Sequence, residues 1–395
     1  MKDGKVGFGI IGIGNMGSAH SQFILNIADA DLVAACDIDP KAFDRLAPAV
    51  KGKIPCYDDA EKLFADPQVD VVIVAVPHYF HPDLAISAME HGKHVVVEKP
   101  IAVHKKEAER LIAAAAKHPE LVKSAMFNQR TLPMHVKLKK LIDSGEFGKI
   151  NRVSWIITDW FRSEYYYSSG KWRATWAGEG GGVLLNQCPH QLDLFQWFFG
   201  MPCRVTAVAK LGKFHDIEVE DEVNAYLEFA DGKTANFITT TGEAPGTNRL
   251  EIAAERGRVI MEDGKIHFRR NEVEATEWSR NFKGSFAPPP FWECDIPFTK
   301  DSRAGHQIIL ENVTNVILGK EKQLLAPVEE GIHGLELGNA MLLSGLKGVP
   351  VDMPMDADVY AEMLAGLAAN SRYKDKKATS GAASSSEFSN SFGVK

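Results

Sequence analysis

The sequence is poor in cysteine and has no long apolar run. Its five cysteines are scattered, odd in number and contain no CxxC pair. This pattern predicts reduced thiols and suggests neither a disulfide framework nor a metal site. No apolar run reaches the ~18 residues that cross a bilayer, and the first residues lack the features of a signal peptide. We therefore expect a cytoplasmic protein with no membrane partner.

The sequence also lacks a cluster of basic residues. The 45 basic and 52 acidic side chains give a net charge of −7, and no basic block interrupts the chain. Nucleic-acid binding by counterion release needs a basic patch, so a nucleic-acid partner is not expected. The 45% apolar and 25% charged content is that of a globular protein, and 395 residues suit two domains.

Short apolar runs alternate with helical segments in residues 1–128. Strands are predicted at 6–11, 32–36, 69–76, 94–97 and 121–127, with helices between them, including 83–90 and 108–116. Repeated strand–helix units of this size form a parallel sheet with right-handed crossovers. Residues 1–128 are therefore predicted to form a Rossmann doubly wound parallel sheet, and the fold class is α/β.

The pattern changes after residue 128. Strands are predicted at 150–157, 205–210, 224–229, 234–241, 249–254, 258–262 and 266–269, and helices at 137–142, 192–199, 308–318 and 328–346. Asp231-Gly232 and Asp263-Gly264 are hairpin signals. Residues 129–371 are predicted to form an α+β domain with a mostly antiparallel open sheet and with loops at 158–182 and 280–290. Residues 372–395 are predicted to be a disordered tail. The uncovered face of such a sheet favours a homodimer or homotetramer.

A glycine motif, Gly12-x-Gly14-x-x-Gly17, follows the first strand. Gly12 permits a tight turn, Gly14 lets the backbone approach a pyrophosphate, and Gly17 lets the helix pack on the strand. The N–H groups at the helix start would hold the phosphates. The spacing also occurs from Gly7 to Gly12, and a purely structural turn is the alternative.

Asp37 ends the second strand, about 20 residues after the motif, as in dinucleotide-binding proteins. A carboxylate there accepts both ribose hydroxyls of NAD and repels a 2′-phosphate. No arginine stands beside it, so NAD is favoured over NADP. The alternative is a helix cap before Pro40.

Glu98-Lys99-Pro100 follows the buried strand 94–97. An ammonium there faces the crevice where the reactive ring of a dinucleotide lies. Pro100 fixes the chain after Lys99, and Glu98 is available to pair with the ammonium or the cofactor. Lys99 is therefore predicted to act on a substrate hydroxyl, against the alternative of a solvated lysine.

Three glycines, 180–182, lead to Asn186, His190 and Asp193, which share one face at helical spacing. A histidine titrates near neutrality and can take a proton from an alcohol, and Asp193 is placed to orient it. Taken alone, His190 is more often a buried structural histidine. Together with Lys99, it is predicted to be the base.

These motifs, with Asn128-Gln129-Arg130 after the last strand, resemble the Gfo/Idh/MocA oxidoreductase family over residues 5–350. The family includes inositol, glucose and other sugar dehydrogenases. The resemblance implies that Lys99 and His190 form the catalytic pair. It implies an NAD site made of Gly12, Gly14, Asn15, Met16, Asp37, Pro77, His81, Glu98, Lys99 and Asn128. The family often has aspartate where this chain has Asn186. An amide can hydrogen-bond a hydroxyl but holds no negative charge, so it cannot tune the base as a carboxylate would. Catalysis is therefore assigned to Lys99 and His190.

Aromatic and basic residues are concentrated between Trp160 and Trp176. Aromatic faces stack on sugars and arginines bond hydroxyls, but the same residues are enriched in oligomer contacts. The predicted substrate residues are Lys99, Arg162, Trp172, Arg173, Asn186 and His190. His306 is predicted mainly as a residue near a helix cap.

The leading hypothesis is a cytoplasmic NAD-dependent oxidoreductase that transfers a hydride between a sugar, cyclitol or sugar-derivative alcohol and the nicotinamide. The alternative is a glycoside-cleaving enzyme with tightly bound NAD that acts by transient oxidation and elimination. A third hypothesis is a dinucleotide-sensing regulator that binds NAD without turnover. Small sugars or polyols are the expected ligands, without a metal.

Overall fold

The structure is a computed structural model that describes residues 4–374. The predicted tail, residues 372–395, lies outside the described residues except for a short turn at Arg372–Lys374. Within residues 4–374, no helix has both the length and the apolar character needed to cross a membrane.

The first sheet has six parallel strands in the order β3-β2-β1-β4-β5-β6. The strands are β1 (Val6–Ile11), β2 (Ala30–Cys36), β3 (Cys56–Tyr57), β4 (Val71–Val74), β5 (His94–Val97) and β6 (Lys123–Ala125). The connecting helices are α1 (Asn15–Leu25), α2 (Ala60–Phe64), α3 (His81–Glu90) and α4 (Lys105–Ala115). The strand order reverses between β1 and β4, which opens a crevice at the carboxyl ends of these strands. The predicted doubly wound parallel sheet is confirmed.

The second sheet has nine strands in the order β14-β13-β12-β11-β7-β10-β9-β8-β15. They are β7 (Ile150–Ile157), β8 (Arg204–Leu211), β9 (Glu220–Glu228), β10 (Thr234–Thr240), β11 (Asn248–Ala254), β12 (Gly257–Glu262), β13 (Lys265–Asn271), β14 (Phe291–Asp295) and β15 (Val351–Asp352). All neighbours are antiparallel except β7 and β10, which run parallel. The predicted, mostly antiparallel sheet is confirmed.

The helices of this half of the chain are α5 (Pro133–Asp143), α6 (Glu164–Ser168), α7 (Pro189–Phe199), α8 (Ala275–Asn281), α9 (Gly305–Ile317), α10 (Gly331–Lys347) and α11 (Ala357–Ala369). Helix α10 and helix α5 pack on this sheet, whereas α9 packs on α1 and α11 packs on α4 of the first domain. Helix α10 packs on β8, β9 and α7, and the inward residues Val205, Leu227 and Phe237 are fully buried. This packing holds α7 between the second sheet and the first domain.

The structure differs from the predictions in several helices. Helix α6 lies inside the predicted loop 158–182, where the Ser163 hydroxyl caps it by accepting from the N–H of Tyr166. Helix α8 extends into the predicted loop 280–290, and α11, capped by Asp356, was not anticipated. Helices α6 and α8, with 5 and 7 residues, carry too few periodic positions to stand out in the sequence. Helix α11 has 13 residues, so shortness does not explain its absence from the predictions.

Candidate active site

The glycine turn after β1 has the geometry of a phosphate cradle. Gly12 has a φ of +88°, and a Cβ there would lie 2.5 Å from the carbonyl oxygen of Ala75. A Cβ on Gly17 would lie 1.9 Å from the carbonyl oxygen of Gly12. Gly14 differs, because a Cβ there would meet no atom within 4 Å. Backbone packing thus requires Gly12 and Gly17, while Gly14 leaves open space above the turn.

Helix α1 begins at this open space. Gly14 caps it without a side-chain bond, and its first turn carries no acidic residue. The backbone N–H groups of Asn15 and Met16 have no partner within the helix, as at every helix start. A diphosphate is the group that such donors and a helix dipole favour. The turn therefore fits the dinucleotide predicted for it.

Asp37 lies beside the same turn. Its Oδ2 accepts from the N–H of Ile13 at 2.6 Å, and its Oδ1 accepts from the N–H of Asp39 at 2.9 Å. The cap of the following helical turn is Asp39, which accepts from the N–H of Lys41 at 3.0 Å. The capping role considered for Asp37 thus belongs to Asp39. Ile38 is 92% exposed next to the carboxylate.

Lys99 extends from the end of β5 towards the second domain. Its Nζ donates to the carbonyl oxygen of Asn186 at 3.0 Å, and the Lys99–Pro100 peptide bond is cis. Burial lowers the pKa of Lys99, neighbouring carboxylates oppose this, and the charges of Arg173 and Arg162 lower it further. The ammonium is therefore held at the junction of the two domains among other cations.

Glu98 is hydrogen-bonded to a histidine of α1. Its Oε1 lies 2.7 Å from Nε2 of His20 in a buried pair. Burial raises the pKa of Glu98, but the hydrogen bond and charge of His20 and the charges of His306 and Lys99 outweigh burial and bring it to about 2. His306 lies 5.9 Å from His20, ring to ring. Glu98 is thus an ionised support behind Lys99.

His190 lies at the start of α7 and is 3% exposed. Neither ring nitrogen has a hydrogen-bond partner among the described residues. Burial lowers the pKa of His190 well below its ordinary value, and the charge of Lys99 lowers it further. The imidazole is therefore neutral and free to accept a proton, and the ammonium that acts on it comes from the other domain.

Asp193 does not orient His190, contrary to the sequence prediction. Its carboxylate accepts two hydrogen bonds from Arg130, at 2.8 Å from Nε and 2.6 Å from Nη2, and a third from Gln196 at 3.2 Å. Arg130 also bonds Glu330. An Arg–carboxylate fork is the stronger partner for a buried aspartate. Asp193 therefore holds α7 to the end of the first domain.

Asn186 lies between the Lys99 ammonium and the aromatic loop. Its carbonyl accepts from Lys99, and its side-chain amide donates to Glu179 and, at 3.4 Å, to the Tyr166 hydroxyl. The amide is thus engaged within the protein, and its backbone rather than its side chain meets the ammonium.

The other predicted substrate residues lie in the same loop. Arg173 donates to the Tyr166 hydroxyl at 2.8 Å, and Arg162 lies 5.1 Å from the centre of the Tyr166 ring. Trp172 stands edge-on to His78 at 5.6 Å. The loop therefore brings Arg162, Trp172 and Arg173 to the Lys99 side of the junction.

The predicted cofactor residues after β4 and β6 also lie here. Both nitrogens of His81 are 2.7 Å from carbonyl oxygens, those of Pro100 and Val76, so the ring ties the ends of β4 and β5 together. Asn128 is 8% exposed, and its Oδ1 has no partner among the described residues. Pro77 precedes the turn that leads to His81. An unpaired buried amide at this position fits a hydrogen-bonding cofactor.

Two family descriptions match the two halves of this architecture. Residues 6–125 match an oxidoreductase family with an NAD-binding Rossmann fold, and residues 135–260 match the GFO/IDH/MocA C-terminal domain. The chain belongs to the Gfo/Idh/MocA family. The NAD-binding Rossmann domain expected from the sequence is thereby confirmed at the level of the family.

Among its relatives in this family is the inositol 2-dehydrogenase/D-chiro-inositol 3-dehydrogenase of Lactiplantibacillus plantarum. It is 31% identical over 288 residues, 70% of this chain and 79% of the relative. The 1-carboxy-3-chloro-3,4-dihydroxycyclohexa-1,5-diene dehydrogenase of Comamonas testosteroni is 31% identical over 60% of this chain. That alignment spans only 58% of the relative's length.

A solved structure has the same architecture. The WlbA dehydrogenase of Bordetella pertussis, in complex with NADH and UDP-GlcNAcA, superposes with a TM-score of 0.73 at 27% identity. The superposition covers 89% of this chain and all of the other.

Sequence reasoning on this family member missed several site residues. They include His20, His78 and Glu179, which contact the predicted residues from elsewhere in the chain. Glu179 stands next to the three glycines, whereas His20 and His78 have no local signal. Tyr166, which accepts from Arg173, lies in the aromatic segment that the sequence marks between Trp160 and Trp176. Within residues 4–374, no group of metal-ligating side chains is placed to bind an ion.

Glu220 is hydrogen-bonded through its carboxylate to the backbone of the glycine segment 180–182 and the residues after it. It is completely buried, and its carboxylate accepts from the N–H of Gly182 at 2.9 Å and of Leu184 at 3.1 Å. Burial raises the pKa of Glu220 to about 7, although the N–H donors oppose this. The segment that leads to Asn186 and His190 is thus fastened to a carboxylic acid that changes charge near neutrality.

A Glu220→Gln variant should reveal this charge in the pH dependence of stability. A folded-state pKa above the unfolded one contributes stability at low pH that is lost as the pH rises through the folded value. The unfolding free energy of the parent, relative to the variant, should fall by about 3 kcal/mol between about pH 4.5 and about pH 8. Urea unfolding at several pH values measures it, with exposed Glu243→Gln as control. A difference independent of pH would contradict the assignment.

Proposed function

We propose that this chain is a cytoplasmic NAD-dependent dehydrogenase that oxidises a secondary alcohol of a sugar, cyclitol or sugar derivative. The observation that carries the proposal is His190, a buried neutral imidazole with no partner among the described residues, beside the ammonium of Lys99. The relatives support the substrate class, since two are named for inositol or a dihydroxy ring compound.

The residues have separate tasks. The backbone N–H groups at the start of α1 would bind the diphosphate of NAD, and the Asp37 carboxylate would bind a ribose. Asn128 would hydrogen-bond the nicotinamide end of the cofactor. NAD supplies the hydride acceptor when bound. His190 takes the proton of the alcohol, and Lys99 donates a hydrogen bond to the same oxygen, which stabilises its developing negative charge. Burial of both groups strengthens that interaction.

Formation of NADH with a panel of cyclitols, aldoses and polyols tests this function. At least one alcohol should give net NADH, in a reaction lost when His190 is replaced. NAD that co-purifies, with glycoside cleavage and no net NADH, would instead identify the transient-oxidation enzyme. NAD binding without either reaction would identify a regulator.

An Asp37→Asn variant is expected to shift the cofactor preference towards NADP. The amide still accepts from the N–H of Ile13 but loses the charge that binds ribose and repels a phosphate. NADH should bind about tenfold more weakly, and NADPH more tightly than to the parent. Fluorescence titration with both dinucleotides measures this, and Asp39→Asn removes an equal charge nearby as control. Unchanged affinity for both would remove Asp37 from the cofactor site.

The outer face of the second sheet supports a homodimer or homotetramer. Val208 and Tyr226, on the neighbouring strands β8 and β9, are 55% and 42% exposed. Light scattering should give two or four copies, and Val208→Glu should lower that number, since a buried charge without a partner is costly. A monomeric parent would contradict this assembly.

A further inference from the structure

Three side-chain N–H groups converge on the phenolic oxygen of Tyr166. This oxygen accepts from Nη1 of Arg173 at 2.8 Å and from Nε2 of Gln187 at 3.2 Å. A longer bond of 3.4 Å comes from Nδ2 of Asn186. A phenol has two lone pairs and one hydrogen. The three donors occupy the lone-pair side of the oxygen, so the hydrogen of Tyr166 is directed away from them.

This hydrogen has no acceptor in the part of the chain that the structure describes. No described residue accepts a hydrogen bond from the Tyr166 hydroxyl. The hydroxyls of Tyr57 and Tyr79 differ, because they donate to the carboxylate of Asp66 at 3.1 Å and to the carbonyl oxygen of Trp176 at 2.7 Å. A tyrosine that supports the fold donates as these two do. The half-buried Tyr166 keeps its donor for a ligand.

Gln187 provides an unused acceptor next to this donor. It is 5% exposed, and its Oε1 is buried with no partner among the described residues. A buried amide oxygen without a hydrogen bond is costly. Because Nε2 of the same amide is bonded to Tyr166, Oε1 lies close to the Tyr166 oxygen. A hydroxyl group both donates and accepts, so one hydroxyl bound between Tyr166 and Gln187 would satisfy both side chains.

Asn186 links Tyr166 and Gln187 to the reacting groups. Its carbonyl oxygen accepts from Nζ of Lys99 at 3.0 Å, and its side-chain amide reaches the Tyr166 hydroxyl at 3.4 Å. The ammonium and the phenol are therefore each one hydrogen bond away from a single residue, which shortly precedes His190 in the chain. A hydroxyl held by Tyr166 is thus close to the oxygen on which Lys99 acts, but separate from it.

We propose that Tyr166 and Gln187 bind a second hydroxyl group of the substrate, on a carbon close to the one that is oxidised. Tyr166 donates to this hydroxyl and Gln187 accepts from it, so the two side chains recognise a neutral diol and not a single alcohol. The inference rests on the proposed function, because it takes the alcohol held by Lys99 and His190 as the reacting group. Two hydroxyls held at separate points fix the orientation of the substrate and thereby determine which carbon is oxidised.

Binding of deoxy analogues tests this proposal without requiring turnover. Calorimetry with the NADH-saturated protein would compare glucose and myo-inositol with all the monodeoxy analogues of each. In at least one series, two or more positions should matter, and loss of either hydroxyl should weaken binding about tenfold. Loss of affinity at no more than one position in both series would overturn the proposal, as would no binding of either polyol.

Tyr166→Phe identifies the second position, because it removes the donor and keeps the ring. The tenfold penalty for losing one hydroxyl of the polyol should fall to about twofold in this variant, since only the bond to Gln187 is left. The penalty for losing the hydroxyl held by Lys99 and His190 should not change. Gln187→Met should reduce the penalty at the same position as Tyr166→Phe does. Reduction at different positions would contradict a shared hydroxyl site.

Tyr79→Phe is the matched control. It removes a hydroxyl that donates to the Trp176 carbonyl, so it should change the affinities for the polyol and all its analogues by a common factor. NADH binding checks that each variant is folded. A common factor for Tyr166→Phe as well would assign Tyr166 a structural role and overturn the proposal.

The two proposals fail separately. Selective loss of the deoxy penalty in Tyr166→Phe, with no hydride transfer in either direction, would remove the dehydrogenase function and leave the hydroxyl site. Oxidation of cyclohexanol with the same kcat/KM as cyclohexane-1,2-diol and cyclohexane-1,3-diol, in the parent and in Tyr166→Phe, would do the reverse.

Discussion

Replacing Lys99 with methionine is expected to lower kcat for alcohol oxidation by about 1000-fold. Methionine keeps the apolar stem and removes the ammonium that would stabilise the oxygen as it loses its proton. The Lys99 ammonium donates to a backbone carbonyl and not to a carboxylate, so the change leaves no buried anion unpaired. The variant should therefore fold and bind NADH within about threefold of the parent.

Lys93→Met is the matched control for this experiment. Lys93 immediately precedes β5, and Lys99 follows the same strand, but Lys93 donates to the carbonyls of Asp66 and Val69 at the opposite edge of the sheet. Its kcat should equal that of the parent. Retention of more than about a tenth of kcat by Lys99→Met would remove Lys99 from the chemistry.

His190→Gln should cause a loss of similar size. Groups that act on one oxygen act as a unit, so the double variant should be little slower than either single variant. Losses that multiply would indicate independent roles. Steady-state and single-turnover rates with the substrate found in the panel measure these effects.

Replacing Arg130 with methionine is expected to destabilise the protein by about 3–5 kcal/mol. Asp193 is 1% exposed, and Arg130 supplies its two shortest hydrogen bonds. Without Arg130, a buried carboxylate is left with no counter-ion. Burial already raises the pKa of Asp193 while Arg130 lowers it, so the deficit should shrink as the pH falls and Asp193 is protonated. Urea unfolding at two pH values measures both effects.

Two further variants separate the loss of the buried ion pair from other effects of the substitution. Arg130→Met combined with Asp193→Leu removes both charges and should recover much of the loss. Arg204→Met breaks an exposed pair with Asp352, of 2.7 Å, and should change the unfolding free energy little, because solvent screens exposed charges. A deficit of Arg130→Met no greater than that of Arg204→Met would mean that the buried fork does not hold α7.

The fold was predictable where local patterns are strong. Buried runs such as those of β1 and β4 specify a parallel sheet, and Asp263-Gly264 specified the hairpin between β12 and β13, where both residues have positive φ. The parallel pairing of β7 with β10 was not predictable, because it depends on a distant return of the chain and not on the composition of either strand.

In the candidate site, too, contacts between residues distant in sequence could not be predicted. Gly12, Lys99 and His190 stand at positions that a motif marks. The partner of Asp193 is 63 residues away in the chain, and helical spacing favoured the nearer His190 instead. Spacing identifies which groups are able to meet, but competition among buried partners decides which pairs form.

The parallel pairing of β7 with β10 has a consequence for the order of folding. The chain leaves β7 at Ile157 and returns to pair Arg152 with Thr234 only after α6, α7, β8 and β9. Contacts this distant in sequence form slowly, because loop-closure entropy is lost before they are made. The middle of the second sheet should therefore close late, and the segment between these strands, which carries α6 and His190, should become ordered in the same step.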